Sequence, residues 1–291
     1  MKNNSGNRLR NYLELSKLRI MIPVSLTGFT GYFIYSPQFS SGLLLTTLGI
    51  LLMAISASIL NQMQEIDLDS KMQRTRKRPI PDRKISMPHA VLFFLISFAS
   101  GFVALFYAGN LKAAIIGIIT IIWYNGIYTN LKRITAFAVI PGAVTGALPP
   151  LIGWVAAGGG IWDKPVIFLE FLFFTGQIPH FWLLILKYGE EYKNAGVPSL
   201  TGIFSPAQVN RLTYTWVLSS VIAAVFLCYF EIIKTWFVTG ILLIASFFLI
   251  LKFSGLLKRG NEKSDFSGYS VFLYLYFLLI LLLLITDRLI V

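Results

Sequence analysis

Long apolar runs alternate with short polar breaks along almost the whole chain. A helix needs about 20 mostly apolar residues to cross the hydrocarbon core of a bilayer, and the runs recur at close to that length. Six are nearly uniform: Leu43 to Ile59, Val91 to Tyr107, Ala113 to Tyr124, Val217 to Phe230, Val238 to Leu251 and Val271 to Ile285. Three more carry proline. Ile20 to Tyr35 holds Pro23, Val139 to Ala157 holds Pro141, Pro149 and Pro150, and Val166 to Leu186 holds Pro179. Backbone groups in hydrocarbon must be satisfied within the segment, so the pattern predicts an all-α polytopic membrane protein of about nine transmembrane helices. A proline inside such a helix frees a carbonyl, which neighbouring helices or a wet cavity must satisfy. The three bent spans therefore predict a central cavity that the helices surround.

Composition agrees with this reading. The 291 residues are 56% hydrophobic and only 13% charged, with a mean hydropathy of +0.70, which excludes an ordinary soluble domain. A net charge of +12 would suit nucleic acid in a soluble protein, but the placement of the basic residues assigns it to topology and leaves no nucleic-acid partner. With the N-terminus in the cytoplasm, nine spans leave only Lys112, Lys164, Lys234 and Arg288 outside among 25 Lys and Arg residues. The C-terminus is then expected outside, and the chain 1–291 is expected to form one transmembrane domain. No cleavable signal pattern follows Met1 to Arg10, so the first span is expected in the mature protein. The single Cys228 falls in a predicted span, which excludes a disulfide framework or a thiolate metal cluster.

Polar chemistry concentrates at the cytoplasmic helix ends. After the second span, Asn61, Glu65 and Asp69 recur every four residues, forming one stripe if that helix continues. An amide oxygen and two carboxylates are hard ligands suited to Mg²⁺ shared with a phosphate. The run Arg74, Arg76, Lys77 and Arg78 follows at once, and guanidinium groups grip phosphate oxygens through paired donors. Alone, such a basic run is more simply a solvated topology signal; the attached stripe favours metal plus diphosphate. At the end of the sixth span Lys187 and Glu191 repeat the four-residue spacing, as an ordinary solvated helix end also would. This weak similarity suits a pseudo-repeat with one site between the second and sixth spans. A third group, Tyr124, Tyr128, Lys132 and Arg133, ends the fourth span and reads equally as an aromatic belt with basic anchors.

The segments Asn61-x-x-x-Glu65-x-x-x-Asp69 and Arg74-Thr75-x-x-Arg78-Pro79 together resemble the first signature of the UbiA-type intramembrane prenyltransferases. Further segments resemble the haem-prenylating branch of that family: Tyr128-Thr129-x-Leu131-Lys132-Arg133, then Gly142-Ala143-x-x-Gly146-Ala147-x-Pro149-Pro150-x-x-Gly153-Trp154. Pro179-His180-Phe181-Trp182, Glu190-Glu191-Tyr192 and Ala195-Gly196-Val197-Pro198 do so too. The resemblance covers roughly Ser16 to Leu200, and the last three spans look generic. Two positions depart from the pattern: Glu65 stands where the broader family usually has aspartate, and Ala138 where this branch commonly has asparagine.

The resemblance implies transfer of a farnesyl group from farnesyl diphosphate to a vinyl group of protohaem, with water completing a hydroxyalkyl side chain. It implies Mg²⁺ as cofactor, held by Asn61, Glu65 and Asp69, and a diphosphate neutralised by Arg74, Arg78, Lys132 and Arg133 beside Tyr128. Lys187 and Glu191 would complete the second half of the site. His180 would meet the haem by iron ligation or a propionate hydrogen bond, or else serve a structural bond to a helix carbonyl. Trp182 is expected at the acceptor, and ring faces such as those of Trp123 and Phe181 beside the cation. The site should face the cytoplasm and open toward lipid, since farnesyl chain and porphyrin are both largely apolar. A quinone precursor or chlorophyll-type tetrapyrrole as acceptor would keep the diphosphate site. A transporter fits less well, because the charges sit at helix ends rather than along a path across the membrane.

Overall fold

The computed structural model describes residues 4–258 and 266–291, all of whose regular structure is helical. Lys2, Arg259 and Lys263, three of the expected cytoplasmic charges, lie outside the described residues. A short helix α1 (Asn4–Leu15) leads into α2 (Leu18–Tyr35), α3 (Ser41–Gln64) and the brief α4 (Ile66–Lys71). Then come α5 (Met87–Ala108), α6 (Leu111–Ile121) and, after a π segment at Ile122–Tyr128, the last turn α7 (Thr129–Leu131). They are followed by α8 (Val139–Ala156), α9 (Lys164–Asn194), α10 (Pro206–Tyr229), α11 (Trp236–Lys258) and α12 (Phe266–Ile290). Among the described residues eight helical stretches are long and apolar enough to cross a membrane, α6 to α7 counting as one. The ninth expected span is α2. Its 18 residues include Arg19, Pro23 and a Ser, Thr and Gly-rich middle, which leave it less apolar than the other eight. It is packed inside the bundle against α3, α8 and α12. The chain is thus an all-α, multi-pass membrane protein.

The polar breaks between spans start the helices that follow them. Ser40 accepts the Leu43 N–H at 3.1 Å, and Asn110 accepts that of Ala113 at 2.9 Å while its own amide reaches the Val155 carbonyl. Ser205 and Gln208 form a reciprocal capping box at α10. Each interaction satisfies donors that a helix start would otherwise leave open.

Backbone contact between α2 and α8 sets the width of the bundle. A Cβ at Gly153 would collide with the Gly28 carbonyl, and one at Gly31 with the carbonyl of Pro150. Only glycine permits that approach, as is common where membrane helices cross closely. The same contact places Pro149 and Pro150 beside α2, and Pro149 also lines a cavity.

Two helices differ from the straight continuation that the sequence predicts. Glu65 leaves helical geometry (φ −111°, ψ 16°), so α3 ends there and α4 begins anew. The backbone bonds Glu65 N–H to Asn61 C=O (3.0 Å) and Asp69 N–H to Glu65 C=O (2.7 Å) nevertheless carry the stripe across the break. Helix α9 breaks at Tyr188 with nearly the same dihedrals (φ −119°, ψ 16°), which interrupts the expected pairing of Lys187 with Glu191.

At the far end, Asp287 of α12 is fully buried and holds the start of α11. Its carboxylate accepts the Lys234 and Thr235 backbone N–H groups and the Thr235 hydroxyl at 2.7 to 3.1 Å. Charge-assisted bonds of this kind contribute about 1.5–3 kcal/mol each, and their donors have no substitute partner once buried. Asp287→Ala is expected to lower unfolding stability in detergent by at least about 2 kcal/mol, with Asp287→Asn in between. A melting curve unchanged by Asp287→Ala would show that the clamp contributes nothing to stability.

Candidate active site

One cavity of about 360 Å³ lies inside the bundle, within the range of small-molecule sites. It is lined by α2, α3, α4, α6 with its π segment, α8 and α9. Its charged end carries Lys17, Asn61, Glu65, Asp69, Arg74, Arg78 and Lys132. Away from that end the wall is mostly apolar, with Ile50, Met53, Ile121, Pro149 and Ile152, interrupted by Thr120, Thr145, Gln177 and His180.

Asn61, Glu65 and Asp69 are only 3 to 4% exposed, so each needs a partner in place of water. Asp69 receives both of its hydrogen bonds from Arg78 Nη1, at 2.7 Å to each oxygen. The Asp69 carbonyl accepts the Thr75 hydroxyl at 3.0 Å, which ties the loop after α4 onto the stripe. Glu65 pairs with Lys132, whose ammonium also lies 5.7 Å from the centre of the Tyr128 ring. Asn61 donates to Thr129 Oγ1 at 3.2 Å, leaving its amide oxygen as a potential ligand. The segments around residue 65 and residue 130 are far apart in sequence, and these pairs bring them together.

The π segment is what aims the end of α6. A π turn adds a residue per turn and so rotates the side chains beyond it about the helix axis. Tyr124 and Tyr128 stack at 5.6 Å, and Tyr128 meets Phe181 of α9 at 6.0 Å, all three facing the cavity. Asn125 is turned instead toward α3, donating to the Ala57 carbonyl and to Gln64 Oε1.

The remaining expected residues divide. Arg74 lines the cavity, its backbone N–H bonded to Glu191 Oε2 at 3.2 Å and its guanidinium 5.1 Å from the Tyr188 ring centre. His180 lines the cavity too. Glu191 and Lys187 do not: Glu191 serves Arg74, and Lys187 donates to Ser267 Oγ at 2.7 Å. Arg133 points away from the cavity to Asp67, gripping both carboxylate oxygens at 2.8 and 2.9 Å and the Gln64 carbonyl at 2.8 Å. That bond holds the Asp67 carboxyl below its usual range and pushes the Arg133 guanidinium up. Trp182 is buried outside the cavity, edge-on to Trp216 at 6.3 Å. Ala138 is in the lining, where it offers no hydrogen bond.

Lys17 is the site residue that the sequence pattern misses. It sits between α1 and α2 in the left-handed region (φ 48°, ψ 41°), and this turn delivers its side chain to the charged end of the cavity. Desolvation lowers the Lys17 ammonium to about 7, with Arg78 acting in the same direction against the carboxylates of Asp69 and Glu65. An anion arriving there would restore its charge. Nothing in the residues around Lys17 distinguishes it from a topology-setting lysine; only its position does.

The fold and site together define a helical membrane protein that encloses a cavity charged at one end. The profile of the UbiA prenyltransferase family matches residues 24–285, and the chain belongs to that family. It is similar to the protoheme IX farnesyltransferase of Oleidesulfovibrio alaskensis, 32% identical over 77% of this chain and 79% of that one. It is similar also to the enzyme of that name from Geobacter sulfurreducens, at 36% over 66% and 71%. In fold it resembles a digeranylgeranylglyceryl phosphate synthase (TM-score 0.78, 23% identity, 98% of this chain and 99% of that one). It also resembles a UbiA homologue from Archaeoglobus fulgidus bound to GPP and Mg²⁺ (TM-score 0.66, 15% identity, 94% and 99%).

The adjacent cations Lys132 and Arg133 are expected to separate by function. A charge-assisted contact is worth about 1.5–3 kcal/mol, or roughly 10- to 150-fold. Lys132→Ala should weaken prenyl diphosphate binding by at least about 10-fold, whereas Arg133→Ala should change it by less than about 3-fold. Titration of both purified variants decides, and equal losses would return Arg133 to the diphosphate site.

Proposed function

We propose that this single-domain protein transfers a farnesyl group from farnesyl diphosphate to a vinyl group of protohaem IX, with Mg²⁺ as cofactor. The observation that carries the reading is the cavity's polarity: cations and carboxylates at one end, a mostly apolar wall along the rest, matching a prenyl diphosphate lying lengthwise. The names of the relatives support protohaem as acceptor. The charged end is assigned to the cytoplasm, because Lys112, Lys164, Lys234 and Arg288 lie at the opposite end and the other described basic residues do not.

The donor set suits a shared metal rather than a resident one. Among the described residues no group of three His, Cys, Asp or Glu side chains could hold an ion alone. Two carboxylates and the Asn61 oxygen leave places for water and diphosphate oxygens, as Mg²⁺ prefers. Arg78 and Lys132 rest against these carboxylates, so a metal would enter together with a diphosphate that takes over those two cations. When bound through Asn61, Glu65 and Asp69, Mg²⁺ would supply electrophilic pull on the leaving diphosphate.

The protein's own groups do the rest. Breaking the allylic C–O bond separates a carbocation from a diphosphate anion, so stabilisation is needed at both ends. Arg74, Arg78, Lys132 and Lys17 surround the anion and hold it at the charged end. The faces of Tyr124, Tyr128 and Phe181 lie just beyond, where ring quadrupoles favour the cation. The mostly apolar wall keeps bulk water from quenching it before the vinyl group attacks, and the cation then left on the former vinyl carbon takes up one water and releases a proton, giving the hydroxyl of the product.

Purified protein incubated with protohaem, farnesyl diphosphate and Mg²⁺ is expected to yield farnesyl-hydroxyethyl haem by mass spectrometry. Asp69→Ala should lower turnover at least about 100-fold, since it removes a metal ligand and strands Arg78. Normal turnover in Asp69→Ala would sink the assignment. Mg²⁺-dependent binding of farnesyl diphosphate without any modified haem would leave the diphosphate site standing and make the acceptor wrong.

A further inference from the structure

His180 is the only histidine in the cavity wall, and its Nδ1 is 2.7 Å from the phenol oxygen of Tyr274 on α12. Tyr274 does not line the cavity, and it is 49% exposed on the outer surface of the bundle. The bond therefore turns Nδ1 outward and leaves Nε2 as the polar atom available to a ligand. Which atom carries the proton decides what that ligand is, because a neutral imidazole offers either a donor or a lone pair at Nε2.

The surroundings of Tyr274 choose between them. It stands eight residues from the start of α12, about 12 Å along the helix at 1.5 Å per residue, so hydrocarbon surrounds its exposed face. Its hydroxyl has no hydrogen-bond partner besides His180 among the described residues. If Nδ1–H donated to the phenol, the phenol hydrogen would face lipid unpaired, which is costly there. If the phenol donates to Nδ1, that cost disappears and the hydrogen sits on Nε2. A protonated Nε2 cannot ligate iron; it can donate to an oxygen.

From this geometry we infer that Tyr274 is a positioning residue that fixes His180 as a hydrogen-bond donor, and that His180 reads a carboxylate on the acceptor rather than a metal within it. On the function proposed above, that carboxylate is a propionate of protohaem. The ring spacings are consistent with reaction at the other edge of the macrocycle. From His180 to Phe181 is 5.4 Å and from Phe181 to Tyr128 is 6.0 Å, so an acceptor held at His180 can reach across to the rings beside the charged end.

The test compares binding of ferric protohaem and its dimethyl ester, whose propionates carry no charge, by absorbance titration of purified protein. Wild type is expected to prefer the free acid by about 10-fold or more, the range of a hydrogen bond to a charged group. His180→Ala and Tyr274→Phe should bring that ratio toward one without changing the absorption spectrum of the bound haem. His180→Gln, which keeps an N–H at a similar reach, should restore part of the preference. Three results would overturn the inference: a nitrogen-ligated iron spectrum lost in His180→Ala, equal losses for acid and ester in the variants, or a preference untouched by Tyr274→Phe. Wild type that binds neither haem would instead overturn the proposed acceptor, and a merely structural His180 would weaken acid and ester alike.

Discussion

Two carboxylates buried near the end of a membrane bundle are the constraint on which the site depends. Taking Glu65 and Asp69 out of water is tolerable only with cations at contact distance, and Lys132 and Arg78 supply them from other segments. Satisfying Asp69 folds the loop after α4 back over the cavity, with Thr75 bonded to the Asp69 carbonyl. Satisfying Glu65 draws in the end of α6 and, with it, the tyrosines that line the middle of the site. On the proposed function these charge pairs are the same groups that a diphosphate and its metal would engage, and binding would exchange one set of partners for another.

The bundle makes room for this exchange by departing from ideal helices at chosen places. Glu65 and Tyr188 break α3 and α9 with matching dihedrals, the π segment rotates the end of α6, and α8 carries paired prolines. Glu65, Tyr124 and Tyr128 of the π segment, and Pro149 line the cavity, and Tyr188 lies beside Arg74, which lines it, so re-aimed side chains have a use there. The closely packed glycines of α2 and α8 hold the surrounding framework fixed while the site is irregular.

Adjacent residues in a motif do not share a direction, and this is why the site was only partly legible. Lys132 reaches Glu65 while its neighbour Arg133 reaches Asp67 outside the cavity. His180 lines the cavity while Trp182, two residues on, faces α10. Successive positions on a helix differ by about 100°, so a run of motif residues always splits between faces. The spacing of four at Lys187 and Glu191 would have kept them together, but the break at Tyr188 undid it.

The sequence by itself determined the solvent, about nine long helices and the candidate site chemistry. Runs of apolar residues at bilayer length leave hydrogen-bonded helices as the only stable form in hydrocarbon, and the spacing of Asn61, Glu65 and Asp69 survived even a broken helix. Tertiary structure alone decided which cations meet those carboxylates, that Lys17 joins them, and that Tyr274, from a span with no recognisable motif, fixes His180. The division has a physical cause. Burial and helical pairing act over a few residues and leave a periodic trace in the chain, whereas a charge pair or a hydrogen bond between distant helices depends on rotation and depth, which no local pattern encodes.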